Sequence, residues 1–157
     1  MLRAVIDVGS NSLLLLVSEY DGKTWNPVHE STFVTALGKG TKTTQLLSPD
    51  GISATLKALK IQFEEAKSFN CHSIRAMATM AARIAKNTPE FLDLARSQGT
   101  PVEVLPGDEE ARLGFLAIVN DPTFATNQVL SVIDVGGHST ELVTAEQVGG
   151  IWQTRFK

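Results

Sequence analysis

Val5-Ile6-Asp7-Val8-Gly9-Ser10-Asn11-Ser12 is the stretch on which the reading of this 157-residue chain turns. Arg3 to Val8 is rich in β-formers and runs into small, turn-forming residues, after which Leu13 to Glu19 is apolar again. That order predicts a β-hairpin with Asp7 at its strand end. The same chemistry returns at Ser131-Val132-Ile133-Asp134-Val135-Gly136-Gly137-His138-Ser139-Thr140-Glu141-Leu142-Val143. Both copies read Ile-Asp-Val-Gly plus a small residue and lead into an apolar strand. A turn of this kind met once reads first as a plain chain reversal with the aspartate satisfying its own backbone. Met twice, it points to phosphate: exposed backbone N–H groups and hydroxyls close around phosphate oxygens. Asp7 and Asp134 stand where carboxylates can hold a divalent cation such as Mg²⁺.

Between the two copies the pattern alternates. Asp21-Gly22 predicts a tight turn, and Trp25 to Leu37 a third antiparallel strand. Ser48-Pro49 predicts a capped helix running to about Ser68, with Ile52, Leu56, Leu59, Ile61 and Phe63 at roughly helical spacing. Ser73 to Met77 reads as a buried strand, Ala78 to Ala85 as a short helix, and Thr88-Pro89 as the start of a helix ending near Gly99. Val102 to Leu105 is a strand, and the helix opened by Gly107-Asp108-Glu109-Glu110 stops before Pro122. Val129 to Val135 and Glu141 to Ala145 are strands, and Val148 to Lys157 begins another. The succession predicts an α/β fold with a mixed sheet and helices on its faces.

Composition bounds the function. With 43% hydrophobic residues the chain can close one core, and its length predicts one domain. A net charge of −3 excludes the broad basic field of a general nucleic-acid binder, so any polyanion must be gripped locally. Cys71 is the only cysteine, which excludes an internal disulfide and fits a reducing compartment. Asp7 interrupts the N-terminal apolar run before a signal-peptide core forms, and no later run approaches a membrane span; a cytoplasmic location is expected. Lys39 in Gly38-Lys39-Gly40-Thr41 lacks the upstream glycine spacing of a nucleotide loop, and no helix is expected directly after it.

The two Asp-Val-Gly segments resemble the phosphate motifs of the actin, sugar-kinase and Hsp70 superfold. Gly9-Ser10-Asn11-Ser12 and Ser139-Thr140-Glu141-Leu142-Val143 are similar to the exopolyphosphatase/guanosine pentaphosphate phosphohydrolase branch of it. Leu37-Gly38-Lys39-Gly40, Thr79 to Asn87 and Gly107-Asp108-Glu109-Glu110-Ala111-Arg112-Leu113 fall in the same family order. The resemblance implies a ribonuclease H-like, actin-like ATPase domain with a mixed five-stranded sheet and helices on both faces. It also implies that residues 1–157 are the first of two lobes, cut from a longer chain.

By the same resemblance, Glu110 is the base that orients an attacking water, a role suited to phosphoryl transfer to water. Asp108 and Glu109 are read instead as complementing the positive end of their helix. Gly9, Ser10, Asn11, Ser12, Arg83, Gly136, Gly137, His138 and Ser139 bind phosphate, and Asp134 with Asp7 and Glu141 positions Mg²⁺ or another divalent cation. Arg112 is expected to pair within its own helix, while His29 and His72 have no companions that suggest a role. The expected substrate is inorganic polyphosphate and/or guanosine pentaphosphate, a choice the first lobe does not make, with a homodimer compatible with the full-length protein and no nucleic-acid or membrane partner.

Two departures stand out. His138 replaces a third consecutive glycine in the second motif, and Leu14 stands where many relatives carry a basic residue. A non-catalytic phosphate or alarmone sensor is therefore a second reading, and a kinase or ATPase of the same superfold a third. Half of a two-lobed cleft is expected to bind phosphate weakly and hydrolyse it poorly.

Overall fold

Alternation along Leu2–Val8 (β1) sets the first layer: Ala4, Ile6 and Val8 are buried while Arg3, Val5 and Asp7 face outward. In the computed structural model, which describes residues 1–124, 126–137 and 140–156 without the side chains of 141, 155 and 156, β1 is the central strand of a five-stranded sheet. Ser12–Tyr20 (β2) and Trp25–Val34 (β3) follow as an antiparallel meander. Ser73–Ala78 (β4) and Val102–Val104 (β5) add parallel strands on the other side of β1, giving the order β3-β2-β1-β4-β5. The mixed sheet expected from the sequence is therefore present.

The β2–β3 turn is closed by Asp21, whose carboxylate accepts from the N–H groups of Lys23 (2.8 Å) and Thr24 (2.9 Å). These bonds hold its pKa down to about 2. Pro49–Ser68 forms the long helix predicted there; Ser48 Oγ accepts from the Gly51 N–H at 3.1 Å and Pro49 occupies the first turn. Its buried stripe is Ile52, Leu56, Leu59 and Phe63, each such side chain worth about 1.5–3 kcal/mol when fully buried. Ile61, expected on the stripe, is instead about half exposed, because it lies off the register of its neighbours.

Four-residue Thr41–Thr44 is α1, so with Pro49–Ser68 as α2 the later helices of this unit are α3 (Met80–Ile84) and α4 (Thr88–Ser97). α1 corrects one expectation: a helical turn does follow Gly38-Lys39-Gly40, initiated by Gly40 in the left-handed region at φ 79°. The helices share one core cluster with Ala4, Ile6, Val8, Leu13 and Leu15. Val5, Leu14 and Leu16, on the opposite face of the sheet, are 40–49% exposed. The helices of this unit pack on the face that carries Ala4, Ile6 and Val8.

Length predicted one domain; the chain packs as two compact units, Met1–Leu105 and Pro106–Lys157. The second contains α5 (Gly107–Val119), a 3-10 turn at Pro122–Phe124, and the antiparallel strands β6 (Val129–Val135), β7 (Thr140–Val148) and β8 (Ile151–Phe156). β8 pairs with β7 from Val143↔Phe156 to Val148↔Ile151, so the last strand has the partner its sequence did not reveal. Ala111 and Phe115 of α5 pack on Val143 and Ala145, and Phe115 meets Trp152 edge-on at 5.7 Å between centroids. The covered face is reversed relative to the first unit. Ile6 and Val8 are at most 1% exposed, whereas their counterparts Ile133 and Val135 are 64% and 74% exposed.

Candidate active site

Gly9 is required by the turn between β1 and β2. Its N–H donates to Ser12 O at 3.0 Å, and a Cβ on Gly9 would lie 2.9 Å from that same oxygen, closer than a real Cβ approaches backbone. The turn's carbonyls point back into the protein: Ser10 O accepts from Gly38 N–H at 2.7 Å, and Asn11 O accepts from both Thr35 N–H (3.0 Å) and Ala36 N–H (2.9 Å). Asn11 Nδ2 donates to Ser12 Oγ at 3.2 Å. Among the described residues the Ser10 and Asn11 N–H groups take no hydrogen-bond partner. With acceptors consumed and donors left over, the turn has the polarity an anion needs. The donations from Thr35 and Ala36 also end β3 at Val34, three residues before the predicted Leu37.

Beside this turn, Thr35, Lys39, Gly40, Ser48 and Gly51 line a cavity of about 540 Å³, which places Lys39 near the grip without making it a nucleotide loop. Asp7 stands one residue before the end of β1, exposed, opposite Leu14 on β2. Arg83 lies on α3 and is half-buried, its Nη1 donating to Leu105 O at 2.9 Å, so the guanidinium ties α3 to the end of β5.

The second unit repeats the arrangement of strand, turn and strand. Val135 pairs with Thr140 and Asp134 with Glu141, as Val8 pairs with Leu13 and Asp7 with Leu14. Gly136 and Gly137 are exposed in the connection. His138, Ser139 and the Glu141 side chain, three of the sequence candidates, lie outside the described residues.

On α5 the acidic residues divide by partner. Glu109 is held by Arg112 through two bonds, Nε to Oε2 at 2.7 Å and Nη2 to Oε1 at 2.6 Å, which lower the Glu109 pKa. Asp108 Oδ1 accepts from the Glu109 N–H at 3.0 Å. Both thus fit the structural part expected of them, as does Arg112. Glu110 is half-buried one residue further on, its N–H bonded to Pro106 O at 2.9 Å. One turn later comes Gly114, where a Cβ would lie 3.8 Å from Asp134 Oδ2. The helix face that carries Glu110 therefore lies against the strand that carries Asp134. Gly114 was not singled out by sequence, because its relation to Asp134 is made across the fold. His29 proves to pair with Glu65 at 3.2 Å and to stack on Phe69.

Two hairpins, each with an aspartate one residue before the end of its first strand, thus occur in the order of the two sequence motifs, one in each unit. A sequence profile of the Ppx/GppA phosphatase family matches residues 16–151. The chain belongs to that family. A solved Ppx/GppA protein of Aquifex aeolicus is 31% identical with a TM-score of 0.84, and the match covers 100% of this chain and 51% of that one. A second structure of the Aquifex aeolicus Ppx/GppA enzyme is 32% identical, TM-score 0.84, covering 99% and 52%. An exopolyphosphatase from Cytophaga hutchinsonii shares the fold at TM-score 0.86 with 22% identity, covering 99% and 50%. The chain spans about half the length of these Ppx/GppA structures. No helix among the described residues is long and apolar enough to cross a membrane.

A divalent cation fits the donor chemistry of Asp134 and Glu141, hard carboxylate residues at directly opposed strand positions. Among the described residues no three acidic, histidine or cysteine side chains form a ready cluster.

Proposed function

We propose that this chain is the N-terminal part of a hydrolase that removes terminal phosphates from phosphoanhydride chains, with inorganic polyphosphate and/or guanosine pentaphosphate as its substrate. The observation that carries the reading is the Gly9–Ser12 turn, whose carbonyls are engaged by Gly38, Thr35 and Ala36 while donors remain for an anion. Its sequence recurrence at Gly136 to Ser139 supplies a second grip, and Arg83 a planar cation suited to phosphate.

In this reading Glu110 accepts a proton from water as the water oxygen bonds to the terminal phosphorus. The bridging P–O bond breaks, its electron pair leaves with the shortened chain, and orthophosphate is released. Asp134, with Asp7 and Glu141, holds Mg²⁺ or another divalent cation, which when bound neutralises charge on the phosphate oxygens. Residues 1–157 are assigned to a first lobe, the cleft being completed by chain outside it; a cytoplasmic, homodimeric full-length protein is part of the proposal.

A second reading, a sensor that grips phosphate without turnover, is favoured by His138, which puts a side chain where a third glycine would let phosphate approach the backbone closely. Release of phosphate by the full-length protein from polyphosphate, guanosine pentaphosphate and ATP, with and without Mg²⁺, separates the two. Turnover of the first two substrates supports the hydrolase; tight binding with no release supports the sensor.

A further inference from the structure

Gly114 sits in the interior of the 13-residue helix α5, where glycine is less favourable than alanine. The ordinary reasons for such a glycine are absent here. It is not among the described glycines with positive φ, and no backbone crowds it. Among the described residues the one atom near the position of its missing Cβ is Asp134 Oδ2 at 3.8 Å, an ordinary contact distance that an alanine methyl would satisfy without strain. Packing alone would therefore accept alanine and would gain helix stability from it.

What a methyl would change is the surroundings of the Asp134 carboxylate. Residues four apart on a helix share a face, so Gly114 follows Glu110 on the face directed to β6. Covering a carboxylate oxygen with apolar atoms removes water and excludes a hydrated ion from that side. Mg²⁺ makes this severe, because it gives up its waters reluctantly and keeps several when protein-bound.

We propose that Gly114 is a positioning residue that keeps the helix-facing side of the Asp134 carboxylate open for a hydrated divalent cation. This rests on the reading of Asp134 as a metal-holding residue. Helix stability is given up at residue 114 so that the space between α5 and β6 stays wet beside the carboxylate.

The test compares Gly114→Ala, Gly114→Leu and, as a control on the opposite, exposed side of the same helix, Leu116→Ala, in the full-length protein. Three quantities are read: melting temperature without metal, Mg²⁺ affinity by calorimetry, and the Mg²⁺ concentration giving half-maximal phosphate release. Gly114→Ala is expected to melt higher than the parent yet bind Mg²⁺ several-fold more weakly. Gly114→Leu is expected to weaken Mg²⁺ binding at least tenfold, and Leu116→Ala to leave it unchanged. A Gly114→Ala protein that melts higher and binds Mg²⁺ as the parent does overturns the proposal, and remains decisive if Gly114→Leu fails to fold. Calorimetry reads metal without turnover. Absent phosphate release with intact, Gly114-dependent Mg²⁺ binding would therefore remove the hydrolase reading and leave this one standing. If Asp134→Asn leaves Mg²⁺ affinity unchanged, the premise about Asp134 fails and the proposal falls with it.

Discussion

Asp134 lies directly opposite Glu141 in the β6–β7 register, at the position where the first unit sets Leu14 opposite Asp7. Two acidic residues at facing positions destabilise a strand pair by about 0.2–1 kcal/mol unless a cation lies between them. The first unit carries one carboxylate at this place and the second carries two. If the proposed metal site is right, this asymmetry makes the second hairpin the stronger cation holder.

Glu141→Leu, which copies the arrangement of the first unit, is expected to raise the metal-free melting temperature slightly and to abolish the increase produced by Mg²⁺. Thermal melts of parent and variant, with metal and with chelator, read both effects. An unchanged Mg²⁺-induced increase in the variant would exclude Glu141 from the metal site.

Gly9→Ala places a methyl 2.9 Å from Ser12 O and so forces the first turn to move. The expected cost is about 1–3 kcal/mol of stability together with loss of phosphate binding at that turn. Chemical denaturation and binding of a short polyphosphate measure the two separately. Retained affinity with unchanged stability would show that the Gly9-to-Ser12 hydrogen bond is not what shapes the grip.

Acid should loosen the β2–β3 turn late. The Asp21 carboxylate is stabilised in its charged form by the Thr24 and Lys23 N–H groups, and its pKa falls to about 2 from an ordinary 3.8. A depressed carboxylate contributes stability fully above its unfolded value, and that contribution is lost as pH falls through the folded one. Carboxyl titration by NMR should therefore place the Asp21 midpoint near 2, and Asp21→Asn should remove its share of the pH dependence between about 2 and 4. A midpoint at the ordinary aspartate value would contradict the hydrogen bonding described at this turn.

The hairpins were legible because alternation and the Asp-Val-Gly turns are local signals, and α2 because Ser48 and Pro49 announce its start. What escaped was decided across distance. β3 stops at Val34 because Thr35 and Ala36 turn their N–H groups to Asn11 O, a bond no local pattern contains. α1 depends on the left-handed Gly40, whereas Gly38-Lys39-Gly40 reads as an irregular end to a strand. The division after Leu105 was hidden because the apolar stripe of α5 does not state which sheet it will cover. Of the candidate site, both turns were legible from their repeated Asp-Val-Gly chemistry and Glu110 from motif resemblance, while the bonds from Arg112 to Glu109 agree with the structural part expected of that neighbour. Gly114 had no such signal, since Asp134 lies twenty positions further along the chain.

That pairing separates the two neighbouring glutamates by experiment. Glu109→Gln breaks an exposed, solvent-screened ion pair within the helix that contributes little to stability, and should leave phosphate release unchanged. Loss of activity in this variant with the fold intact would show that the acidic run works as a group.

Glu110→Gln carries the central claim. It keeps the size of the side chain and removes its ability to take a proton, so kcat for phosphate release from polyphosphate should fall about 100- to 10,000-fold while substrate affinity stays within about twofold. Release from polyphosphate and guanosine pentaphosphate that proceeds at the parent rate in a folded Glu110→Gln protein would contradict the account.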